Sequence, residues 1–235
     1  RKDLVAAIRG SKVKITTMFC GFAGESYADI PTVKKTVGYL TPETREARLA
    51  RTFKISDVAK EAGVERIAAH IGFVPEDKND PNHKAMVAAV QRIADHCKKN
   101  GQEFSLETGQ EKADVLLEFI HEVNRPNVKV NFDPANMILY GTGEPIPALK
   151  VLGKYVVGVH CKDGTWPTEK DKLGHETILG QGKVNIPLFI KTLKEVGYTG
   201  PLTIEREITG DQHAKDIVAA REYIEKLKKE AGITA

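Results

Sequence analysis

The chain has 235 residues, of which 41% are hydrophobic and 29% are charged, and its formal net charge is +3. This length accommodates one large α/β domain, because a single (β/α)8 barrel runs to about 250 residues. The composition excludes a disordered chain, no apolar run approaches the roughly 20 residues of a bilayer span, and the interspersed charges argue against a nucleic-acid partner.

The cysteines bear on the cellular compartment. Cys20, Cys97 and Cys161 are an odd number at wide spacing, which fits reduced thiols better than a disulfide framework. We therefore expect a cytoplasmic protein. The sequence opens at Arg1 and not at Met, so we also expect residues upstream of it.

Six stretches rich in β-branched and small hydrophobic residues alternate with helical stretches. The predicted strands, in chain order, are 12–19, 65–73, 102–109, 128–136, 154–163 and 201–208. Thr41 and Asp80 each place a capping side chain before a proline at the first position of a predicted helix. Gly63 and Gly101 stand where helices end, and a closing amphipathic helix is predicted over 211–229.

The alternation of strands and helices predicts the topology. Without hairpin signals, it indicates parallel strands joined by helical crossovers, in an open doubly wound sheet or in a closed barrel. A glycine-rich phosphate loop after the first strands would favour the open sheet, and the sequence shows none.

Four predicted strands end in the same pattern: a small or polar residue, a large hydrophobic residue and an ionisable residue. The triplets are SLE, NFD, GVH and TIE, which end at Glu107, Asp133, His160 and Glu205. Strand side chains alternate between faces, so the ionisable groups share the face opposite the large hydrophobics. We expect them to converge at the carboxyl ends of parallel strands, which is the active-site end of such folds.

A shared metal ion is the simplest explanation of such a cluster. A single carboxylate could be a structural acid paired with Arg206 or Lys162, but three carboxylates and an imidazole facing one centre would repel and lose hydration without a cation. Three oxygen donors and one nitrogen donor favour manganese, with magnesium, cobalt(II) or zinc as alternatives.

The motifs SLETG, NFDPAN, GVHCKD and TIERE, with LGQGKVNIP and GYTGPLTIE, resemble the xylose isomerase-like TIM barrels of the sugar phosphate isomerase/epimerase family. The resemblance spans the chain and implies a single (β/α)8 barrel domain over residues 1–235. Only six of its eight strands are visible, so we expect the first strand–helix–strand portion of the barrel to be absent from this sequence. We expect upstream residues or a partner to cover the exposed sheet edges.

The resemblance also implies a site and a reaction. It makes Glu107, Asp133, His160 and Glu205 the ligands of one divalent metal, with Glu107 and Glu205 as catalytic acid and base. The implied enzyme isomerises or epimerises a small sugar, keto-sugar or sugar derivative by proton transfer through a metal-stabilised enediolate. The sugar, its phosphorylation and the oligomeric state stay open, and a homo-oligomer is compatible with the sequence.

Three further residues are predicted to bind substrate. His70 ends a strand after two small residues, with a core histidine as the alternative. Asn136 stands where some family epimerases carry a substrate-binding histidine. Lys162 shares the face of His160, with an outer salt bridge to Asp163 as the alternative, whereas Glu207 is interpreted as a solvated side chain above the rim.

Other functions are compatible with the fold. A lyase or dehydratase acting on a keto-sugar or keto-inositol would use the same site. A DNA-repair endonuclease of this fold needs several metals and many histidines, and only His70 and His160 of the seven histidines lie at predicted strand ends. A non-catalytic sugar-binding relative is the remaining alternative.

Overall fold

The structure is a computed structural model, and it describes residues 1–233. The chain forms two compact units. The first unit comprises Arg1–Glu107 and Val115–Val130, and the second comprises Thr108–Asp114 and the chain from Asn131 onwards. The single domain over residues 1–235 stays a prediction.

Helices cover about half of the chain, and six of those in the described part carry a proline in their first two positions. The helices are α1 (Lys2–Gly10), α2 (Ile30–Thr36), α3 (Pro42–Ala62), α4 (Pro81–Lys99), α5 (Ala113–Val123), α6 (Pro134–Tyr140), α7 (Pro145–Leu152), α8 (Ile186–Glu195) and α9 (Asp211–Glu230). Over residues 1–233, no helix has the length and apolar character that crossing a membrane requires.

All six predicted strands form, with shorter bounds. The strands are β1 (Met18–Phe19), β2 (Arg66–Ala69), β3 (Glu103–Glu107), β4 (Val128–Phe132), β5 (Val156–Cys161), β6 (Asp163–Gly164), β7 (Glu176–Thr177) and β8 (Leu202–Ile204). Neighbouring strands of the main sheet follow the order β1-β2-β3-β4-β5-β8. The short antiparallel pair β6–β7 was not predicted. The predicted α/β class, with parallel strands joined by helices, is confirmed.

In the first unit, β1, β2 and β3 are parallel neighbours, and the register pairs Ala69 with Leu106. The predicted strand over 12–19 shrinks to two residues, because its hydrophobic side chains Val13 and Ile15 are exposed and have no core to pack on. Gly63 ends α3 in the left-handed conformation at φ +79°, as predicted.

The two predicted helix caps differ in outcome. The Asp80 carboxylate accepts a hydrogen bond from the Asn82 N–H at 2.7 Å, which confirms the cap of α4. Thr41 makes no capping hydrogen bond at the start of α3. Its hydroxyl donates to the Lys35 carbonyl at 2.7 Å instead, so that prediction was wrong in its detail.

In the second unit, β5 and β8 are parallel, with His160 paired to Thr203. The large hydrophobic residue of the triplet is fully buried in β4 and β5, as Phe132 and Val159 show. Phe132 packs against Phe189 of α8, with ring centroids 6.0 Å apart. The hydrophobic face of these strands therefore meets the helix layer, and the opposite face carries the ionisable residues.

Candidate metal centre

Asp133 joins β4 to α6 and is fully buried. Its Oδ1 accepts a hydrogen bond from the Asn136 N–H at 2.9 Å, so the side chain caps α6. The Thr108 hydroxyl donates to the Asp133 carbonyl at 3.0 Å and accepts from the Asp133 N–H at 2.8 Å. Hydrogen bonds thus fix both the backbone of Asp133 and its Oδ1, so Oδ2 is the carboxylate oxygen that could bind a ligand.

His160 and Glu205 lie beside that oxygen. His160 Nδ1 is 3.5 Å from Asp133 Oδ2 and 3.2 Å from Glu205 Oε2. Glu205 follows β8 directly, and its N–H donates to the Cys161 carbonyl at 3.3 Å, which extends the strand pairing up to the site. Each of the three side chains offers a ligand atom within 4.8 Å of the others.

This arrangement fits a divalent cation. Asp133 Oδ2 is buried and accepts no hydrogen bond of standard distance and angle among residues 1–233, and a buried oxygen that is poorly satisfied costs free energy in the folded protein. A cation between Asp133, His160 and Glu205 would satisfy it. Two carboxylates and one imidazole are ligands that manganese, magnesium, cobalt and zinc accept.

The two carboxylates of the cluster have different electrostatic environments. Burial raises the pKa of Asp133, and the charges of Lys162 and His160 oppose this only in part. Burial would also raise the pKa of Glu205, but the hydrogen bond and charge of His160, together with the charge of Lys162, outweigh burial and hold that pKa well below its usual range. Glu205 is therefore ionised at neutral pH.

Lys162 is a buried cation inside the same cluster, with 2% of its side chain exposed. Its Nζ lies 2.6 Å from Glu207 Oε2, 3.1 Å from Glu205 Oε2 and 3.4 Å from Asn136 Oδ1. Glu205 is thus paired with Lys162. Glu207 is exposed, as predicted, but it also binds this buried ammonium group, which the interpretation as a merely solvated side chain missed.

Asp163 has a role different from the salt bridge with Lys162 that was the alternative interpretation. Its buried carboxylate accepts four backbone N–H groups, from Gly164 at 2.9 Å, Gly180 at 3.0 Å, Gly182 at 3.0 Å and Val184 at 3.1 Å. A side chain at Gly182 would collide with the Asp163 carboxylate. The LGQGKV motif therefore forms a loop folded around one aspartate.

Arg206 points away from the cluster, as strand alternation requires. Its Nε donates to Asp216 Oδ2 at 2.8 Å, and a second guanidinium nitrogen lies 3.1 Å from Glu176 Oε1. Glu176 also accepts the Glu207 N–H at 3.0 Å. Arg206 is thus held by Asp216 and Glu176, so the alternative that it pairs with the cluster carboxylate was wrong.

Two predicted residues belong to the first unit. Glu107 is the last residue of β3 and is buried, with 1% of its surface exposed. His70 directly follows β2, is half-buried, and its ring centroid lies 5.8 Å from that of Tyr27. Because β2 and β3 are parallel neighbours, both residues end adjacent strands. Their ligand and substrate roles stay predictions.

Replacing Lys162 tests whether its positive charge stabilises the buried carboxylates of the cluster. We expect Lys162→Met to lower the free energy of unfolding by about 3 kcal/mol, because it leaves buried carboxylates without their cation. Added divalent metal should restore part of this loss, because the ion supplies the missing positive charge. Urea titration with and without manganese measures both effects.

The control is Lys78→Met. Lys78 Nζ also contacts two carboxylates at 2.9 Å, those of Glu118 and Glu122, but its side chain is 55% exposed. Solvent screens such pairs, so little loss and no response to metal are expected. Equal effects in the two variants would contradict the buried-cation interpretation.

Comparison with known proteins identifies close similarities. A family model described as xylose isomerase-like TIM barrel matches residues 1–229. The xylose isomerase domain protein from Planctomyces limnophilus, whose crystal structure is known, shares 45% sequence identity with this chain. The two structures superpose with a TM-score of 0.92, and the match covers 99% of this chain and 83% of that one.

Two curated relatives are similar over shorter segments. The L-ribulose 3-epimerase of Methylomonas sp. (strain DH-1) is 29% identical over 142 residues, which are 57% of this chain and 46% of the relative. The ketose 3-epimerase of Arthrobacter globiformis is 30% identical over 125 residues, which are 50% of this chain and 39% of the relative. The matched chain thus spans less than half the length of either relative.

Proposed function

Because the chain belongs to the xylose isomerase-like TIM barrel family, we propose that it is a divalent-metal-dependent isomerase or epimerase of a small sugar, keto-sugar or sugar derivative. The observation that carries this proposal is the cluster of Asp133, His160 and Glu205, with an unsatisfied carboxylate oxygen at its centre. The similarity to two ketose epimerases supports the class of reaction.

The proposed ligands are Asp133, His160, Glu205 and Glu107. Glu107 is included because it is a buried carboxylate at the end of β3, and because the next residue, Thr108, exchanges two hydrogen bonds with the backbone of Asp133. We propose manganese as the ion, with magnesium, cobalt(II) or zinc as alternatives, since oxygen ligands dominate the set.

A bound divalent cation would supply Lewis acidity, which polarises the substrate carbonyl and stabilises the enediolate. The ionised Glu205 would accept the proton from the carbon next to that carbonyl, and Glu107, starting protonated, would donate its proton to the same carbon, after which proton exchange with solvent would restore both carboxyl groups. Removal by one carboxylate and return by the other inverts the carbon centre. Lys162 keeps Glu205 in place during this exchange through its 3.1 Å hydrogen bond.

We propose that His70, Asn136 and Lys162 contact the substrate. The ammonium group of Lys162 already donates to Asn136, Glu205 and Glu207. It can therefore reach a substrate oxygen by releasing Glu207, which is the most exposed of these partners. A sugar oxygen would replace one carboxylate oxygen in its hydrogen-bonding shell.

We propose a cytoplasmic location and a small-molecule sugar as the binding partner. The three cysteines are free and buried, which supports a reducing compartment. A homo-oligomer stays a prediction.

Solvent deuterium tests the reaction class. Ketopentoses and ketohexoses incubated with the protein and manganese in D2O should yield an isomeric product of unchanged formula that carries deuterium from solvent. An unsaturated product that absorbs in the ultraviolet would identify the lyase or dehydratase alternative. Saturable sugar binding without deuterium uptake under any metal would identify the non-catalytic alternative and overturn the proposal.

A further inference from the structure

Gln110 is a buried amide whose hydrogen-bonding capacity is largely unused. It lies in the segment between β3 and α5 with 3% of its surface exposed. Neither its Oε1 nor its Nε2 makes a hydrogen bond of standard distance and angle in the part of the chain that the structure describes, and the polar group that the amide influences is the Tyr140 hydroxyl, whose pKa it lowers. Burying an amide unsatisfied costs about 1–3 kcal/mol per group, so this side chain is expected to have a partner in the working protein.

The backbone next to Gln110 is fixed against one face of α6. That face carries Asn136 and Tyr140, four residues apart. A Cβ built on Gly109, whose φ is +143°, would lie 2.7 Å from Asn136 Cβ and 3.1 Å from Tyr140 Cδ2, so only glycine permits this approach. Thr142 adds a 2.8 Å hydrogen bond from its hydroxyl to the Gly109 carbonyl. The position of Gln110 is therefore set by packing.

The same face of α6 begins at the metal centre. Asp133 caps the helix, Asn136 accepts from Lys162 at 3.4 Å, and Tyr140 follows one turn later. Burial raises the pKa of Tyr140, while a hydrogen-bonding interaction with Gln110 and the charge of Lys162 oppose the rise. Polar groups thus continue from Asp133 to Tyr140 over about 10 Å of helix, a distance comparable to the length of an open-chain sugar.

The charges around Tyr140 indicate what binds there. Two carboxylates, those of Glu207 and Glu111, raise the pKa of Tyr140 further, and they outnumber the one cation, Lys162, that lowers it. Anionic neighbours disfavour a phosphate group, whereas an amide with one acceptor and two donor hydrogens matches neighbouring hydroxyl groups. A hydroxyl-bearing, uncharged chain end fits this environment.

We propose that Gln110 and Tyr140 form a subsite for the hydroxyl groups at the end of the substrate remote from the metal, and that the substrate is an unphosphorylated sugar. This inference rests on the proposed function. Gln110 donates to one hydroxyl and accepts from its neighbour, and the Tyr140 hydroxyl binds the same chain end. Both side chains thereby act as specificity-determining residues.

The experiment compares substrates that differ only in the remote end. D-Allulose carries the remote hydroxyls, dihydroxyacetone has the hydroxyketone without them, and D-allulose 6-phosphate carries an anionic phosphate in place of the terminal hydroxyl. Deuterium exchange from D2O is followed for wild type, Gln110→Leu, Tyr140→Phe and the control Gln91→Leu. Gln91 donates to the Val123 carbonyl in the first unit.

We expect Gln110→Leu to lower kcat/KM for D-allulose by about 100-fold, because leucine cannot form the hydrogen bonds that the Gln110 amide makes to the remote hydroxyls of the sugar. Exchange of dihydroxyacetone should change less than about threefold, and Gln91→Leu should behave as wild type on both substrates. Equal losses on both substrates would assign Gln110 a structural role and overturn the subsite. Preference for D-allulose 6-phosphate would overturn the uncharged chain end.

Calorimetry separates failure of the subsite from failure of the proposed reaction. If wild type exchanges none of the three ketoses, the proposed function fails, and binding of the unreactive hexitol allitol with manganese then tests the subsite alone. Allitol binding that weakens about tenfold or more in Gln110→Leu supports the subsite. Unchanged allitol binding in the variant, or no binding to wild type, overturns it.

Discussion

Glu205→Gln is expected to lower kcat by about 10²–10⁴-fold while the fold stays intact, because the neutral amide cannot accept the proton. The amide keeps the shape of the side chain and one oxygen for Lys162, which lies 3.1 Å from Glu205 Oε2 in the wild type. It is also a weaker ligand for a cation, so manganese affinity should fall together with turnover. Stopped assays in D2O and calorimetric titration with manganese measure the two effects.

A matched control separates catalysis from general charge removal. Glu225 lies on α9 of the same unit, and its exposed carboxylate accepts a hydrogen bond from Lys228 at 3.0 Å. Glu225→Gln removes the same charge and should leave turnover and metal affinity unchanged. Wild-type turnover in Glu205→Gln would contradict the assignment of Glu205 as base and metal ligand.

Removal of the metal is the second change from which we expect a large effect, on turnover and on thermal stability. Protein purified without chelator should contain about one divalent ion per chain, and chelation should abolish turnover, because the carbonyl loses its Lewis acid. A ligand at 100 times its Kd stabilises the fold by about 2.7 kcal/mol, which for a chain of this size corresponds to about 5–10 °C in Tm. Elemental analysis and thermal unfolding with and without manganese measure both.

The metal response has its own control. Asp133→Asn removes the carboxylate whose Oδ2 lies beside His160, so its Tm should not respond to manganese. In the wild type, affinity should fall as pH is lowered, because burial raises the pKa of Asp133 and the ligands must lose their protons to bind. Absence of metal after purification, and after incubation with manganese, would overturn the metal centre and favour the sugar-binding alternative.

Residue pattern was enough to predict part of the site. In β4 and β5 the hydrophobic member of the triplet is buried, and the ionisable member that follows it lies in the cluster. This prediction works because side chains alternate strictly along a strand, and because parallel strands bring their carboxyl ends to one edge. The grouping of Asp133, His160 and Glu205 follows from these two rules.

The residue pattern could not predict which groups those side chains form hydrogen bonds with. Lys162 was placed on the correct face, but its hydrogen bond to Glu207 joins residues 45 apart in sequence. Asp163 binds a loop up to 21 residues away, and Gln110 carries no signal at all, because an amide in a polar loop looks ordinary until it is buried. The alternation of side chains along a strand specifies the face of the sheet on which a residue lies. Its hydrogen-bond partner depends on how loops that are distant in sequence pack against that face.

The sequence by itself therefore determined the parallel α/β class, the succession of the six main strands along the chain and the face that carries the ionisable groups, since all three follow from periodicity and local capping. Only the tertiary structure decided that Lys162 is a buried cation among carboxylates, that Asp163 organises the LGQGKV loop and that Gln110 is buried without a hydrogen bond of standard geometry. The physical reason is that burial and hydrogen-bond geometry arise from packing between segments far apart in the chain.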